Sequence, residues 1–520
     1  MGQHKGFRTI SVLILGVLSV PSKPEAMQSE RAPGISVFPR RGVARAGRFV
    51  PFPIIESCIN DQMVGGIAWK ACRCFPLQSL VVPASVKGMG VGYFEDCRSL
   101  VWVVFECGSQ LRDIKERTFA NVGLRAIAIP KSVETIGEWC FGNCDSLALV
   151  TFEVGSRLQD IGENAFFDSG VTAMILPVSV GKIGKNCFMN CDSLALVTFE
   201  VGSRPQDIGE NTFFNVGLRA IAIPKSVERI GGWCFASCLF LAWVTFEVGF
   251  RLQAMGKSAF FNTGLRAITL PTSLERIERE CFMNCRSLTS FTFEAGSQPQ
   301  EIGESSFAGS GVTAMTLPAS VGKIGKNCFM DCRSLTSFTF EAGSQLRDIG
   351  ESAFFGSGVT AMILPASVGK IGKNCFMNCR SLTSFTFEAG SQLQDIGENA
   401  FSSTDLRAIT LPASLERIGE GCFANCRSLT SFTFEVGSRL QAMGKSAFAG
   451  SGVTAMTLPA SVETMGRWCF MDCRSLIFVD SEEGSRLTRI EANTFSESPQ
   501  VQLSLFLSSL MEASATAPPL

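Results

Sequence analysis

Hydrophobic residues recur along this chain in a short triplet whose members occupy positions one, four and six. Leu147, Val150 and Phe152 form one such triplet, and an equivalent triplet starts at Val171. Side chains alternate across an extended strand, so the fourth and sixth positions share one face. The pattern predicts short strands in which these two residues point inward, while the second, third and fifth residues face solvent.

The triplets belong to a repeat with a strict period. Nine cysteines, from Cys97 to Cys473, follow one another at steps of 47 residues, and nine prolines, from Pro83 to Pro459, keep the same step. Each unit divides into two halves, which align on Ile-Gly, then on Cys-Phe against Ala-Phe, and then on the triplet. We call these halves the cysteine coil and the sister coil. Each has about 23 residues, which is within the range of leucine-rich repeats.

A coil of this size cannot be stable alone, and stacking of neighbouring coils buries a continuous core. The sequence therefore predicts an α/β solenoid of about 18 coils with one parallel β-sheet. We expect the Ile-Gly-x-x-Cys/Ala-Phe stretch to form a short helical turn on the opposite side. Glycines and the Pro-x-Ser segments mark the corners.

The repeat motif resembles one known family. It reads Ile371-Gly-Lys-Asn-Cys-Phe-Met-Asn-Cys-Arg-Ser-Leu-Thr-Ser-Phe in one unit and recurs in the neighbouring units. This pattern is similar to the BspA-type leucine-rich repeats of bacterial and protist surface proteins, and the similarity covers residues 77–496. The resemblance implies a surface-exposed protein that takes part in adhesion or binds host proteins, but the repeat itself names no ligand.

The segments outside the repeats suggest export. His4, Lys5 and Arg8 precede an apolar run at 10–20 that is too short to span a bilayer. We expect residues 1–26 to be a signal peptide, although an apolar N-terminal tail is the alternative. Residues 27–76 would form an N-terminal cap or a poorly ordered segment, 77–496 the solenoid and 497–520 a C-terminal tail. No membrane span is expected.

Composition argues against catalysis and against nucleic acid as a partner. The formal net charge is −1, which gives no long-range attraction for nucleic acid. His4 is the one histidine, and it lies in the expected signal peptide, so the usual general base and metal ligand are missing. We therefore expect no catalytic residues, no cofactor and no metal site.

The 21 cysteines leave three interpretations open. Sixteen form eight Cys-Phe-x-x-Cys pairs, and the first member of each pair aligns with a small residue in the sister coil. Buried free thiols that fill the core are favoured over disulfides and over a metal site, because equivalent cysteines should lie about 10 Å apart. Disulfides are expected, if anywhere, among Cys58, Cys72, Cys74 and Cys107.

Two apparent motifs have simpler explanations. Gly256-Lys257-Ser258 and Gly444-Lys445-Ser446 imitate the end of a phosphate-binding loop, but the first glycine of such a loop is misplaced. Both stretches occupy the Ile-Gly-Glu position of other units. The acidic residues that recur in step, such as Glu153 and Glu200, are explained by corner chemistry.

The exposed strand positions carry the functional signal. In the cysteine coils the third position reads Trp102, Leu149, Leu196 and Trp243, and then Ser290, Ser337, Ser384 and Ser431. We call these first four residues the apolar stripe. Exposed apolar side chains in a row favour a partner site, and coverage by residues 30–70 is the alternative.

The fifth strand position forms an interrupted threonine row, which is typical of a solvated strand. Ordering of water, as in ice-binding solenoids, is a weaker alternative. The sequence as a whole predicts a non-enzymatic, secreted or cell-surface protein that binds a protein or extracellular matrix ligand through its strand face. The alternative is a structural spacer without a specific ligand.

Overall fold

The computed structural model describes the backbone of residues 77–516 and the side chains of 77–511. The expected signal peptide and cap, with Cys58, Cys72 and Cys74, therefore lie outside the described residues. The chain winds into a solenoid in which every coil contributes one four-residue strand and one two-residue strand.

The four-residue strands, numbered in chain order together with the short ones, are β1 (Ser79–Val82), β3 (Trp102–Phe105), β5 (Ala126–Ile129), β7 (Leu149–Phe152), β9 (Ala173–Leu176), β11 (Leu196–Phe199), β13 (Ala220–Ile223), β15 (Trp243–Phe246), β17 (Ala267–Leu270), β19 (Ser290–Phe293), β21 (Ala314–Leu317), β23 (Ser337–Phe340), β25 (Ala361–Leu364), β27 (Ser384–Phe387), β29 (Ala408–Leu411), β31 (Ser431–Phe434), β33 (Ala455–Leu458) and β35 (Phe478–Ser481).

The two-residue strands are β2 (Gly88–Met89), β4 (Asp113–Ile114), β6 (Thr135–Ile136), β8 (Asp160–Ile161), β10 (Lys182–Ile183), β12 (Asp207–Ile208), β14 (Arg229–Ile230), β16 (Ala254–Met255), β18 (Arg276–Ile277), β20 (Glu301–Ile302), β22 (Lys323–Ile324), β24 (Asp348–Ile349), β26 (Lys370–Ile371), β28 (Asp395–Ile396), β30 (Arg417–Ile418), β32 (Ala442–Met443), β34 (Thr464–Met465), β36 (Arg489–Ile490) and β37 (Gln502–Leu503).

Two parallel ladders run along the solenoid, where the sequence led us to expect one. The four-residue strands pair with their neighbours in sheets of ten, six and three strands, the last of which ends on β37. The two-residue strands β2 to β36 pair in a second ladder, in which Ile136, for example, is opposite Ile161. The second ladder was missed because two residues are too few to show a period.

The prediction of short helical turns on the opposite side is also wrong. The segment between the two ladders consists of turns in which every fourth residue has a left-handed backbone, such as Trp139 (φ 54°) and Asn143 (φ 56°). Its N–H groups bond to the next coil rather than to the preceding helical turn: the Phe141 amide donates to the Ala165 carbonyl at 2.7 Å. Left-handed residues interrupt an α-helix, and asparagine tolerates that conformation better than most residues do.

A stack of phenylalanine rings forms the centre of the core. It runs without a break from Phe94 to Phe495, with ring centroids 5.1–5.6 Å apart and the rings nearly parallel. The predicted inward residues surround it, and Leu147 and Val150 are buried. The sixth residue of the cysteine coils, such as Phe152, is only half-buried.

The Ile-Gly step is explained by close contact between coils. A β-carbon at Gly372 would lie 2.6 Å from the carbonyl carbon of Gly350 and 2.7 Å from the amide nitrogen of Glu351. Real β-carbons do not approach backbone atoms so closely, so glycine lets successive coils stack. At Glu278 one coil nevertheless accommodates a side chain at this position.

The last coil is followed by β37 and by one α-helix, α1 (Leu505–Thr516). Both lie in the expected C-terminal tail, and Leu507 of α1 is buried against the core. Within the described range, no helix has the length and apolar character needed to cross a membrane.

Candidate protein-binding surface

The residues at the third position of the hydrophobic triplet are the first residues of the four-residue strands, and they form one column on the exposed face of the solenoid. Trp102 and Leu149 both pair with Ala126, and the pairing continues in the same way to Leu196 and Trp243. Large side chains therefore alternate with alanine, and successive large ones lie about 10 Å apart. The structure thus brings all four residues of the apolar stripe into a single line.

The side chains of the stripe are exposed. Trp102, Leu149, Leu196 and Trp243 expose 52%, 50%, 38% and 51% of their surface. The same column then carries exposed serine at Ser290, Ser337, Ser384 and Ser431, and it ends on the exposed Phe478 in the last cysteine coil. At the same boundary the buried fourth position changes from valine to phenylalanine, as from Val244 to Phe291. The third-position side chains point away from the core, so the core packing does not require serine there. The segment 30–70, which was the alternative cover, lies outside the described residues.

One coil extends the stripe in a way that the sequence reasoning missed. Leu239 and Phe240, directly before the strand of Trp243, are 59% and 69% exposed. Two units earlier the same positions carry Asp145 and Ser146, as a charged or polar pair does in the other cysteine coils. A comparison of each unit with its neighbours would have shown this departure from the repeat.

Corner residues add to the apolar surface of the same half. Val154, Val201 and Val248 are 97%, 100% and 97% exposed at the turn that follows the strands of the cysteine coils. Cys107 occupies the equivalent corner of an earlier coil and is exposed. Apolar side chains thus lie at both the strand and the following corner in several coils.

Arginines border the stripe. Three exposed arginines occupy the second position of the triplet in sister coils, directly before the alanines of the column: Arg125, Arg219 and Arg266. Arginine and large aromatic residues are both enriched at protein interfaces, where fully exposed lysine is depleted. The surface therefore combines an apolar centre with charged side chains beside it.

The recurring glutamates hold the corners, as the sequence suggested. The Glu153 carboxylate accepts a hydrogen bond from the main-chain N–H of Lys131 at 3.0 Å, and Glu200 accepts one from Val178 at 2.9 Å. Seven further glutamates make the same contact, 22 residues back along the chain. Their periodicity is thus explained by backbone capping rather than by catalysis.

The family model of the BspA type leucine rich repeat region matches residues 67–195, 206–299, 300–430 and 394–516. The chain belongs to this family. The predicted resemblance is thereby confirmed, and the family and the fold are those of repeat proteins rather than of enzymes.

Several solved structures to which this chain is similar are bacterial proteins. A leucine-rich repeat protein from Bacteroides ovatus is 24% identical, covers 79% of this chain and 92% of its own, and has a TM-score of 0.43. A leucine rich cell surface protein from Faecalibacterium prausnitzii is 23% identical, with coverage of 60% and 79% and a TM-score of 0.31. The pneumococcal vaccine antigen PcpA is 19% identical, with coverage of 79% and 88% and a TM-score of 0.36. No curated protein matches significantly.

The cysteines of this BspA-type repeat are part of its core. The sixteen cysteines of the Cys-Phe-x-x-Cys pairs are free thiols and are buried, whereas Cys107 is exposed. Burial raises the pKa of the Cys144 thiol to about 12, and that of Cys140 rises well above its usual value for the same reason, reinforced by the neighbouring Cys144. The Cys144 thiol donates to the Phe119 carbonyl at 3.1 Å.

Seven later units repeat that thiol–carbonyl bond at 2.9–3.1 Å, which explains why the second cysteine recurs. A buried neutral thiol is a poor nucleophile and a poor metal ligand. Among the described residues, no three His, Cys, Asp or Glu side chains are grouped as a metal would require.

In the two segments that resemble phosphate-binding loops, the side chains contact residues of neighbouring coils. Lys257 lies beside the Trp233 ring, 5.9 Å from its centroid, and pairs with Glu280 at 3.7 Å. Ser258 is buried and donates to the Glu280 carboxylate at 2.9 Å. Lys445 likewise contacts Trp468 and Glu420. These side chains are engaged between coils, so neither segment forms a cradle for phosphate.

Proposed function

We propose that this chain is a non-enzymatic binding module that holds a protein or extracellular matrix ligand against the N-terminal half of its strand face. One observation carries the proposal: the apolar stripe is exposed in a single column and is extended by Leu239 and Phe240. Contiguous exposed apolar surface on a soluble domain is typical of interaction sites.

Removal of the two tryptophans tests the proposal. In Trp102→Ser with Trp243→Ser, each position receives the residue that Ser290 already provides in a later unit, so we expect stability to change by less than about 1 kcal/mol. Binding of a purified matrix or host-surface protein should weaken by at least about 2 kcal/mol if the rings are anchors. Biolayer interferometry with the full chain measures this.

A second variant uses the repeat itself as its template. Leu239→Asp with Phe240→Ser restores the pair that Asp145 and Ser146 form in an earlier unit, so the fold should be unaffected. Binding should again weaken. The matched control is Ser337→Ala with Ser384→Ala in the same column of the C-terminal half, which should leave binding unchanged.

The result also separates the alternatives. A large drop in melting temperature in the tryptophan variant would mean that these rings are covered by the N-terminal segment. Unchanged binding of a verified ligand in both apolar variants would place the site elsewhere, and a spacer role would then be favoured.

We also propose that the chain is secreted or displayed at the cell surface. This rests on the apolar run at 10–20 and its basic flank. Expression of the full chain with a C-terminal tag, followed by N-terminal sequencing of the exported product, tests it. An exported product that begins near residue 27 supports the proposal, and retention of the uncleaved chain in the cytoplasm contradicts it.

A further inference from the structure

The C-terminal half carries a second regular surface feature, on the edge that precedes the long strands. In five successive units the residue after the second cysteine is an exposed arginine, and this arginine row consists of Arg286, Arg333, Arg380, Arg427 and Arg474. In the four earlier units the same position holds Arg98, Asp145, Asp192 and Leu239. The fold therefore does not require arginine there.

Neighbouring arginines of the row are two coils apart. The ring stack gives the rise: Phe282 to Phe307 is 5.4 Å and Phe307 to Phe329 is 5.2 Å between centroids. The guanidinium groups therefore recur roughly every 10 Å along the axis, as expected for two strand spacings.

Most of this positive charge is available. Arg333 is paired with Asp331 at 3.5 Å and Arg474 with Asp472 at 2.6 Å, and the side chains of both arginines are still at least 80% exposed. Within the part of the chain that the structure describes, Arg286, Arg380 and Arg427 have no carboxylate partner. Ion pairs at such exposure are weak and would exchange readily for a ligand.

Grooves separate the arginines. One of about 490 Å³ lies between Arg286 and Arg333 and is also lined by Asn284 and Ser334. Its floor is the Gly309–Gly311 segment of the intervening sister coil. A β-carbon at Gly311 would lie 2.1 Å from the Arg286 carbonyl oxygen, so no side chain at that residue can fill the groove.

The next groove repeats this construction. It has about 480 Å³, lies between Arg333 and Arg380, and has the Gly356–Gly358 segment as its floor. A β-carbon at Gly358 would lie 2.2 Å from the Arg333 carbonyl oxygen. Between Arg427 and Arg474 the Gly450–Gly452 segment repeats the glycine floor, whereas between Arg380 and Arg427 the exposed Asp405 takes the place of the floor glycine. The two grooves therefore follow one another from Arg286 to Arg380, and Asp331 lines both of them.

We propose that the arginine row and its grooves bind a linear acidic polysaccharide that runs along the solenoid axis. Guanidinium groups make paired hydrogen bonds to carboxylates and sulfates. Asn284 and Ser334 offer amide and hydroxyl groups to sugar hydroxyls, and the glycine floors leave room for the rings. This site is in the other half from the apolar stripe and does not depend on the protein-binding proposal.

Local charge decides the attraction, although the net charge of the chain is −1. Charges on the surface are screened beyond about 10 Å at 0.1 M salt, so a ligand on this edge senses mainly the five arginines and the aspartates among them, Asp331, Asp405 and Asp472, which the arginines outnumber. The capping glutamates, such as Glu294 and Glu341, lie at the other end of the four-residue strands, about 13 Å away along the strand.

The same features disfavour nucleic acid. Phosphates follow one another about every 3.4 Å along one strand of a duplex, which is much denser than the arginine row. Proteins that bind single strands stack bases on exposed aromatic rings. Between residues 264 and 476, the described large apolar side chains with high exposure are Ile363 and Val436, and the exposed aromatic ring of Phe478 lies at the end of the row, in the coil of Arg474.

Binding of size-defined heparin and hyaluronan oligosaccharides to the full chain tests the proposal, with calorimetry at several salt concentrations. The row variant changes four arginines to serine, at Arg286, Arg333, Arg380 and Arg427. The matched control changes four exposed arginines of the opposite corner to serine, at Arg157, Arg204, Arg251 and Arg439. Both variants lose the same charge.

We expect at least one of these glycans to bind, the row variant to lose at least about tenfold in affinity, and the control to lose less than about threefold. The dependence of log affinity on log salt should also become shallower by nearly one for each contacting arginine removed. Circular dichroism verifies that both variants are folded.

A second pair of variants isolates spacing from charge. Arg333→Ser with Arg427→Ser leaves no two neighbouring arginines in the row, whereas Arg427→Ser with Arg474→Ser leaves three neighbours. Each pair removes one arginine with an aspartate partner and one without. We expect the first pair to bind more weakly than the second.

Four outcomes would overturn the proposal. These are no binding of either glycan at low salt, equal losses in the row variant and its opposite-corner control, equal affinity of the two spacing variants, and tighter binding of single-stranded DNA than of the glycans. The last result would assign the row to nucleic acid instead.

Discussion

The phenylalanine stack should stabilise the two halves of the solenoid unequally. Phe213 and Phe307 occupy equivalent places in the stack and are fully buried. Phe213 has two stacked neighbours, at 5.5 and 5.4 Å. Phe307 has two as well, at 5.4 and 5.2 Å, and a third ring, Phe291, meets it edge-on at 4.7 Å. The place of Phe291 is taken by Val197 in the coil before Phe213.

Leucine at each position preserves most of the apolar volume but removes the aromatic contacts. An aromatic pair contributes about 0.5–1.5 kcal/mol beyond burial. Phe213→Leu should therefore cost roughly 1–3 kcal/mol and Phe307→Leu roughly 1.5–4.5 kcal/mol, with a difference equal to one pair. Phe293→Leu, at a half-buried ring that meets only Phe291, serves as the control and should cost the least.

The assay must report on single coils, because long repeat arrays do not unfold in one cooperative step. Hydrogen exchange followed by mass spectrometry gives the opening free energy of each peptide. We expect the loss to be centred on the mutated coil and to fade within its neighbours. An equal or larger loss in Phe213→Leu than in Phe307→Leu would refute the idea that ring contacts set this difference.

Four further results are expected. Deletion of 286–332, one full period, should leave a folded chain, because the remaining coils keep all their contacts. Deletion of 286–295 removes part of one coil and should not leave a folded chain. Similar circular dichroism of both deletions would contradict the register of the repeat. Gly372→Ala should lower the free energy of unfolding by about 1–3 kcal/mol, because the new β-carbon would meet the backbone of the neighbouring coil. The control is Gly369→Ala, where nothing lies within 4 Å of the β-carbon, and it should be neutral or stabilising by up to about 1 kcal/mol. Equal melting temperatures of the two variants would contradict the packing argument. The buried thiols should resist alkylation until denaturant is added, while Cys107 reacts at once; early labelling of the pairs would contradict their burial. Folding raises the pKa of these thiols, so the stability that they contribute is present below their unfolded pKa near 9. This stability is lost as pH rises above that value, by about 1.4 kcal/mol per pH unit for each thiol. A melting temperature that does not change between pH 8 and pH 10 would oppose this.

Most of the fold could be predicted from the sequence because the repeat is local. A period of 47 residues places Leu147, Val150 and their equivalents in register without any knowledge of long-range contacts. Each coil touches mainly its neighbours, so the stacking order follows the chain order. The buried role of the cysteines was also foreseen, since they align with alanine in the sister coils.

The errors arose where hydrogen bonds between coils replace those within a coil. Ile-Gly-x-x-Cys-Phe has the spacing of a helical turn, but the amide of Phe141 donates to Ala165 in the next coil. Asn143 and its equivalents, which favour a left-handed backbone, were the available signal and were not used. The short ladder through Ile136 and Ile161 is likewise formed between coils and has no local signature.

The sequence by itself determined the coil length, the inward positions and the place of the apolar stripe, because these depend on periodicity and on the alternation of side chains along a strand. Only the tertiary structure decided which outward residues meet in space. It showed that Leu239 and Phe240 are exposed, and it set Arg286, Arg333 and the glycine floor between them along one edge. Arg286 and Arg333 are 47 residues apart in the chain, and stacking at about 5 Å per coil is what brings them together.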